Sequence, residues 1–344
     1  MRTSHTLTHA LLALLALVVM ASAARAADPG LRYPATSEIS DQKAGSVLIY
    51  NIYTSNPVNL AGQDTTINIT NTNTETTAYV HLFLVDGVSC SPTDLFICLT
   101  QNQTSTFFMS DLDPGVTGYL VAIAVDGVTG CPINFNFLIG SEYVKFSTGH
   151  QARLGAEAIA ALYGTTQADP LGTGATLPGC DRNSVTANLT FDGVFYNQLP
   201  RVLAIDSIPA RGDGNDTLVI INRIGGNLAI GAATLGNIAG VLYDDLEHGY
   251  SFTFNGGLCQ FRAALSNNFP RTSPRFETVI PIGRTGWMKL FNAQADIGIL
   301  GAMINFNPNA SANAFNGGSN LHKLTLATSA MYTIPIFAPS CGLL

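Results

Sequence analysis

The 344-residue chain is only 11% charged and carries a formal charge of −7. Ordinary soluble domains are roughly 25% charged, so the polar surface must come from Asn, Thr, Ser, Gln and Gly. The acidic balance argues against nucleic acid and anionic membrane as partners.

Residues 1–26 read as a secretory signal peptide. Arg2 supplies the positive charge, Ala10–Met20 is an unbroken apolar run, and small-residue cleavage sites follow, with cutting expected after Ala26. No Cys follows the apolar run, so no lipid anchor is expected. Taking Arg2 and Arg25 from the 16 basic residues leaves 14 against 23 acidic, a mature net charge of −9. The chain is expected outside the cell, at its surface or in the periplasm.

The mature chain opens on strand patterns. In "DTTINITN", from Asp64, Ile67 and Ile69 share one face, the alternation of a half-buried strand. "AYVHLFLVD" is apolar on both faces, with Val80, Leu82 and Leu84 on one and Tyr79, Phe83 and Val85 on the other, which places it at a sheet centre. "QTSTFFMS" is a further strand, "DLDPG" turns the chain, and "GYLVAIAVD" is the next strand. Such spacing of short strands and turns predicts an antiparallel sandwich over 27–149. "GHQARLGAEAIAALYG" has Leu154, Ala158 and Leu162 at helical spacing, which predicts one short helix near 150–163, followed by a linker to about residue 185. "LAIGAATLGNIAGVLY", Leu228–Tyr243, is too short and too broken to span a membrane and reads as strands. The region 186–344 is expected to be a second sandwich.

That second sandwich resembles the first. Val47-Leu48 matches Val202-Leu203, Asp64 matches Asp216, Asp86 matches Asp244, Cys98 matches Cys259, Tyr119 matches Trp287 and Ile133 matches Ile304. From the second match onward the offsets only grow, as expected of a diverged duplication with longer loops in its second copy. The fold class is therefore all-β, with two tandem antiparallel sandwiches.

The stretch "DTTINITNTNTETTAYVHLFL", followed by "LTQNQTSTFFMSDLDPGVTGYLVAIAVD", resembles the immunoglobulin-like and fibronectin-III-like modules of uncharacterised secreted bacterial proteins. The resemblance implies the sandwich fold. It implies no site residues, because sandwiches host many unrelated functions, and the Cys…Trp…Cys pattern of true immunoglobulin domains is missing.

Six cysteines in an exported chain read as three disulfides. Cys90 and Cys98 flank a short loop and are expected to pair. Cys131 with Cys180 and Cys259 with Cys341 complete the set. Catalytic signatures are absent: no G-x-S-x-G, no H-E-x-x-H, no phosphate loop and no dinucleotide motif occur. His81, inside an apolar strand, reads as a partly buried polar residue with a backbone partner, and "YDDLEHG" around His248 as a solvated turn. Two Asp-rich loops are the candidates for a structural calcium, Asp111 with Asp113, and Asp213 with Asn215 and Asp216; no other cofactor is expected. Arg211-Gly212-Asp213 and the sequons at Asn68, Asn102, Asn188, Asn215 and Asn309 are compatible with exposed turns. Tyr50 with Tyr53, and Phe107 with Phe108, read as core.

Three functions follow. The first is a non-catalytic exported protein with a structural, adhesive or self-assembling role, whose partner is a cell-surface or matrix component or a second copy of the chain. The second is a pair of carbohydrate-binding modules, which requires coplanar exposed aromatics and takes polysaccharide as partner. The third is a hydrolase with a cryptic site, which requires a carboxylate pair or a Ser–His contact in a cleft.

Overall fold

The computed structural model of the chain describes residues 38–166, 169, 171–293, 295–309, 316–328 and 330–341. The expected signal peptide, 1–26, lies outside the described residues. The expected all-β sandwich architecture is present.

The first sandwich has one sheet of β1 (Val47–Thr54), β3 (Ala78–Asp86), β4 (Pro92–Leu99), β6 (Thr117–Val125) and β9 (Glu157–Ile159), ordered β4-β3-β6-β1-β9. Facing it are β2 (Asp64–Asn71), β5 (Thr104–Phe108), β7 (Leu138–Lys145) and β8 (Gln151–Gly155), ordered β5-β2-β7-β8. Leu48, Ile67, Ile69, Leu82, Leu84 and Leu120 fill the space between. The pairs β3–β4, β2–β5 and β1–β6 are nested hairpins on alternate sheets. Such nesting is the jelly-roll form of the antiparallel sandwich.

The second sandwich repeats this wiring. β11 (Pro200–Pro209), β15 (Asn237–Asp244), β16 (Gly249–Asn255), β18 (Thr285–Asn292) and β21 (His322–Leu326) run in the order β16-β15-β18-β11-β21. β12 (Asp216–Arg223), β17 (Gln260–Ala264), β19 (Ile299–Phe306) and β20 (Gly317–Asn320) run β17-β12-β19-β20. Single-turn helices sit at matching places, α1 (Met109–Leu112) after β5 and α2 (Phe276–Val279) before β18. Even the ladder irregularity recurs, between Tyr50 and Tyr53 in β1 and between Ile205 and Ile208 in β11.

Four of the six sequence matches hold in register. Val47 stands opposite Ile123 as Val202 stands opposite Phe291, and Asp86 opposite Gly118 as Asp244 opposite Gly286. Asp64 and Asp216 both open their strands, and Tyr119 and Trp287 are both third in theirs. Two matches fail. Cys98 lies in β4 whereas Cys259 just precedes β17, and Ile133 precedes β7 whereas Ile304 lies inside β19.

The expected helix near 150–163 is corrected to strands β8 and β9. Ala152 and Leu154 are buried while Gln151 and Arg153 are exposed, a period of two. These strands complete both sheets of the first sandwich, and that pairing overrides an Ala-rich helical spacing. Gly155 sits where a Cβ would lie 2.8 Å from that of Asp41, so the chain needs glycine there.

A third sheet was not legible from sequence. β10 (Thr186–Thr190), β22 (Met331–Pro335), β13 (Gly226–Asn227) and β14 (Gly231–Ala232) run β10-β22-β13-β14. Leu189, Tyr332 and Ile334 from this sheet, with Phe191 just after β10, pack on Val47, Ile49, Phe83, Tyr119 and Val121. This explains why β1, β3 and β6 are apolar on both faces: one face meets the sandwich core and the other meets this cover.

The sandwiches join through buried contacts. Ile52, Val144 and Leu154 pack against Ile220, Ala302 and Ile304. Beside them Asn222 Nδ2 donates to the Asn51 main-chain oxygen at 2.8 Å, Gln260 Nε2 donates to Asn222 Oδ1 at 2.8 Å, and Asn51 Nδ2 donates to Asn320 Oδ1 at 2.9 Å. The described residues all fall in one compact unit.

The disulfides are Cys131–Cys180, as expected, with Cys90–Cys259 and Cys98–Cys341, which correct the expected Cys90–Cys98 and Cys259–Cys341 pairs. Cys90 lies in the β3–β4 turn, while Cys98 stands opposite Tyr79, far up the hairpin. At about 3.3 Å per strand residue the two are roughly 20 Å apart, beyond any disulfide's reach. Cys90–Cys259 instead ties one sandwich to the other across 169 residues, and Cys98–Cys341 pins the returning C-terminal segment. Replacing Cys90 and Cys259 by Ser is expected to cost about 2–5 kcal/mol of stability, read as a lower urea midpoint. An unchanged midpoint would contradict this role for the bridge.

Candidate functional site

The seam between the sandwiches opens into a polar cleft of about 460 Å³. β8 and β20 form it, with Glu38, Asp41, Arg153, Asn320, His322 and Lys323 in its lining. Close approach of the two strands needs Gly318, where a Cβ would lie 2.4 Å from the Met303 carbonyl oxygen and 3.0 Å from Ala152 Cβ. Asn320 pins the wall: its Nδ2 donates to Asp41 Oδ2 at 3.1 Å and to the Gly155 carbonyl at 2.8 Å.

Lys323 reaches inward to Glu157, making a 2.8 Å ion pair with a fully buried carboxylate. Burial raises the Glu157 pKa; Lys323 pulls it down and Asp41 pushes it up, and burial wins. Lys43 donates to Asn197 Oδ1 at 2.9 Å, and burial, opposed by Glu38 and reinforced by Lys323, lowers its pKa to about 8. A glycosidase-type acid needs a raised pKa and contact with the leaving group. Glu157 has the first, but it is sealed beneath Lys323. The carboxylates that do line the cleft, Glu38 and Asp41, share it with Arg153 and Lys323. The arrangement suits holding a polar ligand better than transferring a proton to one.

The other buried ionisable groups are closed in as well. His81 Nε2 lies 2.8 Å from Asp94 Oδ2, so its partner is a carboxylate and not the expected backbone group. Its ring sits 4.1 Å from both Phe83 and Phe96, and burial lowers its pKa against the pull of Asp94. His150 contacts Thr148 and the Asp216 carbonyl at 2.8 and 2.9 Å. Glu142 lies fully buried below the β1 bulge. The Asn51 and Ile52 amides face its carboxyl without closing well-formed hydrogen bonds, and burial raises its pKa strongly.

The Asp-rich loops are engaged in architecture. Asp113 accepts from Tyr53 Oη at 2.6 Å, and burial raises its pKa; Asp111 is exposed. Asp213 Oδ2 accepts from the Gly283 amide at 2.9 Å. Asn215 is buried, its Oδ1 accepting from Asn305 at 3.0 Å and Asn307 at 3.1 Å. Asp216 faces His150 at 3.8 Å. Among the described residues no group of three His, Cys, Asp or Glu side chains is placed to hold a metal ion. Arg211–Asp213 is a 3₁₀ turn in which Arg211 Nη1 donates to the Leu265 carbonyl at 3.0 Å. His248 pairs with Asp244 at 2.9 Å in an exposed turn.

A second surface emerges on the outer face of the β15–β18 pair. Tyr243 and Trp287 stand opposite each other with rings stacked at 4.3 Å and 9°, and Lys289 Nζ sits 5.1 Å from the Trp287 ring. The corresponding residues of the first sandwich, Val85, Tyr119 and Val121, are buried beneath the third sheet. The Tyr243–Trp287 patch is only half-buried. Its rings are parallel but stacked on each other and half-buried, so they are not the coplanar exposed aromatics expected of a carbohydrate-binding module. Of the aromatic pairs expected in the core, Tyr50, Tyr53 and Phe107 are buried, but Phe108 is 51% exposed because strand alternation turns it outward.

No protein-family model and no curated protein matches the chain. A solved structure of recombinant N-glycanase F (PNGase F) is similar over 83% of this chain and 98% of its own, at 10% identity and a TM-score of 0.21. A likeness at that level carries no argument about fold or activity.

Lys323→Met is expected to cost about 3–5 kcal/mol at neutral pH, because it strands a buried carboxylate. The folded Glu157 pKa lies above its unfolded value, so stability falls as pH rises from the ordinary carboxylate range toward the folded pKa. Without Lys323 that window widens upward. The loss in melting temperature is therefore expected to be larger at about pH 8 than at about pH 5; equal losses would contradict the pairing.

Proposed function

We propose that this is an exported, non-catalytic protein with a structural or adhesive role, working as one rigid unit. The observation that carries this reading is the fate of its buried ionisable groups. His81, His150, Glu142 and Glu157 are enclosed by packing, hydrogen bonds and ion pairs, and none of them lines the seam cleft, Glu157 lying beneath Lys323. Three disulfides, one of them between the sandwiches, suit an extracellular or periplasmic setting. No helix among the described residues is long and apolar enough to cross a membrane.

The partner we favour is a second copy. β16, "GYSFTFN", is an edge strand that among the described residues pairs only with β15, and it carries no charge and no proline. Edges of that kind accept a further strand unless guarded. Light scattering of the mature chain is expected to show concentration-dependent association, lost in a Ser251→Lys/Thr253→Lys variant that guards the edge. A monomer at all concentrations, or association that ignores these lysines, would sink the edge.

A polysaccharide-binding role is the second reading; the stacked Tyr243–Trp287 pair is not the expected coplanar platform, but it leaves half-buried ring surface with the Lys289 ammonium beside it. Affinity electrophoresis through neutral polysaccharides tests it: retardation removed by Trp287→Ala would support this reading over self-assembly.

A further inference from the structure

The connection from β17 to α2 is where the second sandwich departs from the first. β5 runs directly into α1, Phe108 to Met109, but Leu265–Arg275, "LSNNFPRTSPR", intervenes between β17 and α2. The insertion is anchored. Leu265 is buried, Phe269 packs edge-on to Phe254 at 5.0 Å, and Ser266 and Phe269 exchange main-chain hydrogen bonds at 2.6 and 3.1 Å. What it encloses is a pocket of about 330 Å³ lined by Asn267, Asn268, Arg271, Thr272 and Arg275.

Three features of this lining point to one ligand chemistry. The Arg275 carbonyl accepts from the Thr278 and Val279 amides at 2.9 and 3.0 Å, but the guanidiniums of Arg271 and Arg275 have no hydrogen bond or ion pair among the described residues. The Glu277 carboxylate is committed elsewhere: Oε2 accepts from Asn267 Nδ2 at 3.0 Å, and Oε1 lies 3.6 Å from Arg211 Nε. Thr272 is only 7% exposed, and its Oγ1 is buried without a partner. A buried hydroxyl left unpaired is costly, and a ligand oxygen removes that cost. Two free guanidiniums, in a chain short of positive charge, supply the planar donor forks that grip oxyanions.

We infer that this pocket binds an oxyanion, a sulfate, phosphate or carboxylate group, held by Arg271 and Arg275 and oriented by the Thr272 hydroxyl. The volume sits at the low end of small-molecule sites, roughly 300–1,000 Å³, and leaves room for the body that carries the group. The site does not depend on the role proposed above.

Calorimetric titration of the mature chain with inorganic sulfate, inorganic phosphate and glucuronate, at constant ionic strength, tests this. Saturable binding of at least one probe is expected. Arg271→Gln/Arg275→Gln should weaken it by at least about tenfold, since a single charge-assisted bond is worth about a decade of affinity. Thr272→Val should weaken it further without lowering the anion-free melting temperature of the folded chain. Preference for glucuronate assigns the group to a carboxylated sugar; preference for sulfate or phosphate assigns it to a free or esterified tetrahedral anion. No saturable heat with any probe, or unchanged affinity in the double Arg variant, would overturn the site.

Discussion

The hydrogen bond from Asn222 to the Asn51 main chain is the contact on which the rest of the structure depends. It is buried, it crosses from one sandwich to the other, and it is shared with Gln260 and, through Asn51, with Asn320. Unpaired amides in that position would each carry a desolvation cost that no water relieves. The seam therefore specifies one relative placement of the sandwiches, and the apolar contact beside it supplies the attraction. The Cys90–Cys259 bridge, the Asn320 clamp on Asp41 and the cleft itself all follow from that placement.

The two sandwiches share their wiring but not their cover. In the first, the outer face of β1, β3 and β6 lies under the third sheet, so its residues are Val, Ile, Phe and Tyr. In the second, the same positions hold Tyr243, Trp287 and Lys289, half-buried. One sandwich thus serves as the anchored half and the other presents surface: an unguarded edge strand, a stacked aromatic pair and an Arg-lined insertion.

Much of the fold was written locally. The alternation of Ile67 and Ile69, and the two-sided apolar character of "AYVHLFLVD", are period-two signals that need no tertiary knowledge. Four residue matches marked the shared wiring because each falls at the same place in its strand or ladder: Asp64 and Asp216 open their strands, Asp86 and Asp244 close theirs, and Tyr119 and Trp287 stand third. The failures are spatial. β13 and β14 are two residues each, too short to leave a pattern, and β22 pairs with β13 and β10 only because the chain end returns to the first sandwich. The same return decides Cys98–Cys341. The helix expected near 150–163 rested on Ala spacing, and sheet pairing outweighed it. The oxyanion pocket left a signal that went unread: Arg271 and Arg275 flank Thr272 in an insertion lacking in the first sandwich.

Scanning calorimetry of the mature, oxidised chain tests the central claim most directly. If the buried amide seam makes one cooperative unit of the two sandwiches, a single transition appears and its van't Hoff and calorimetric enthalpies agree. Two resolved transitions, or a van't Hoff enthalpy near half the calorimetric one, would mean that the sandwiches unfold independently and that the seam does not govern the structure.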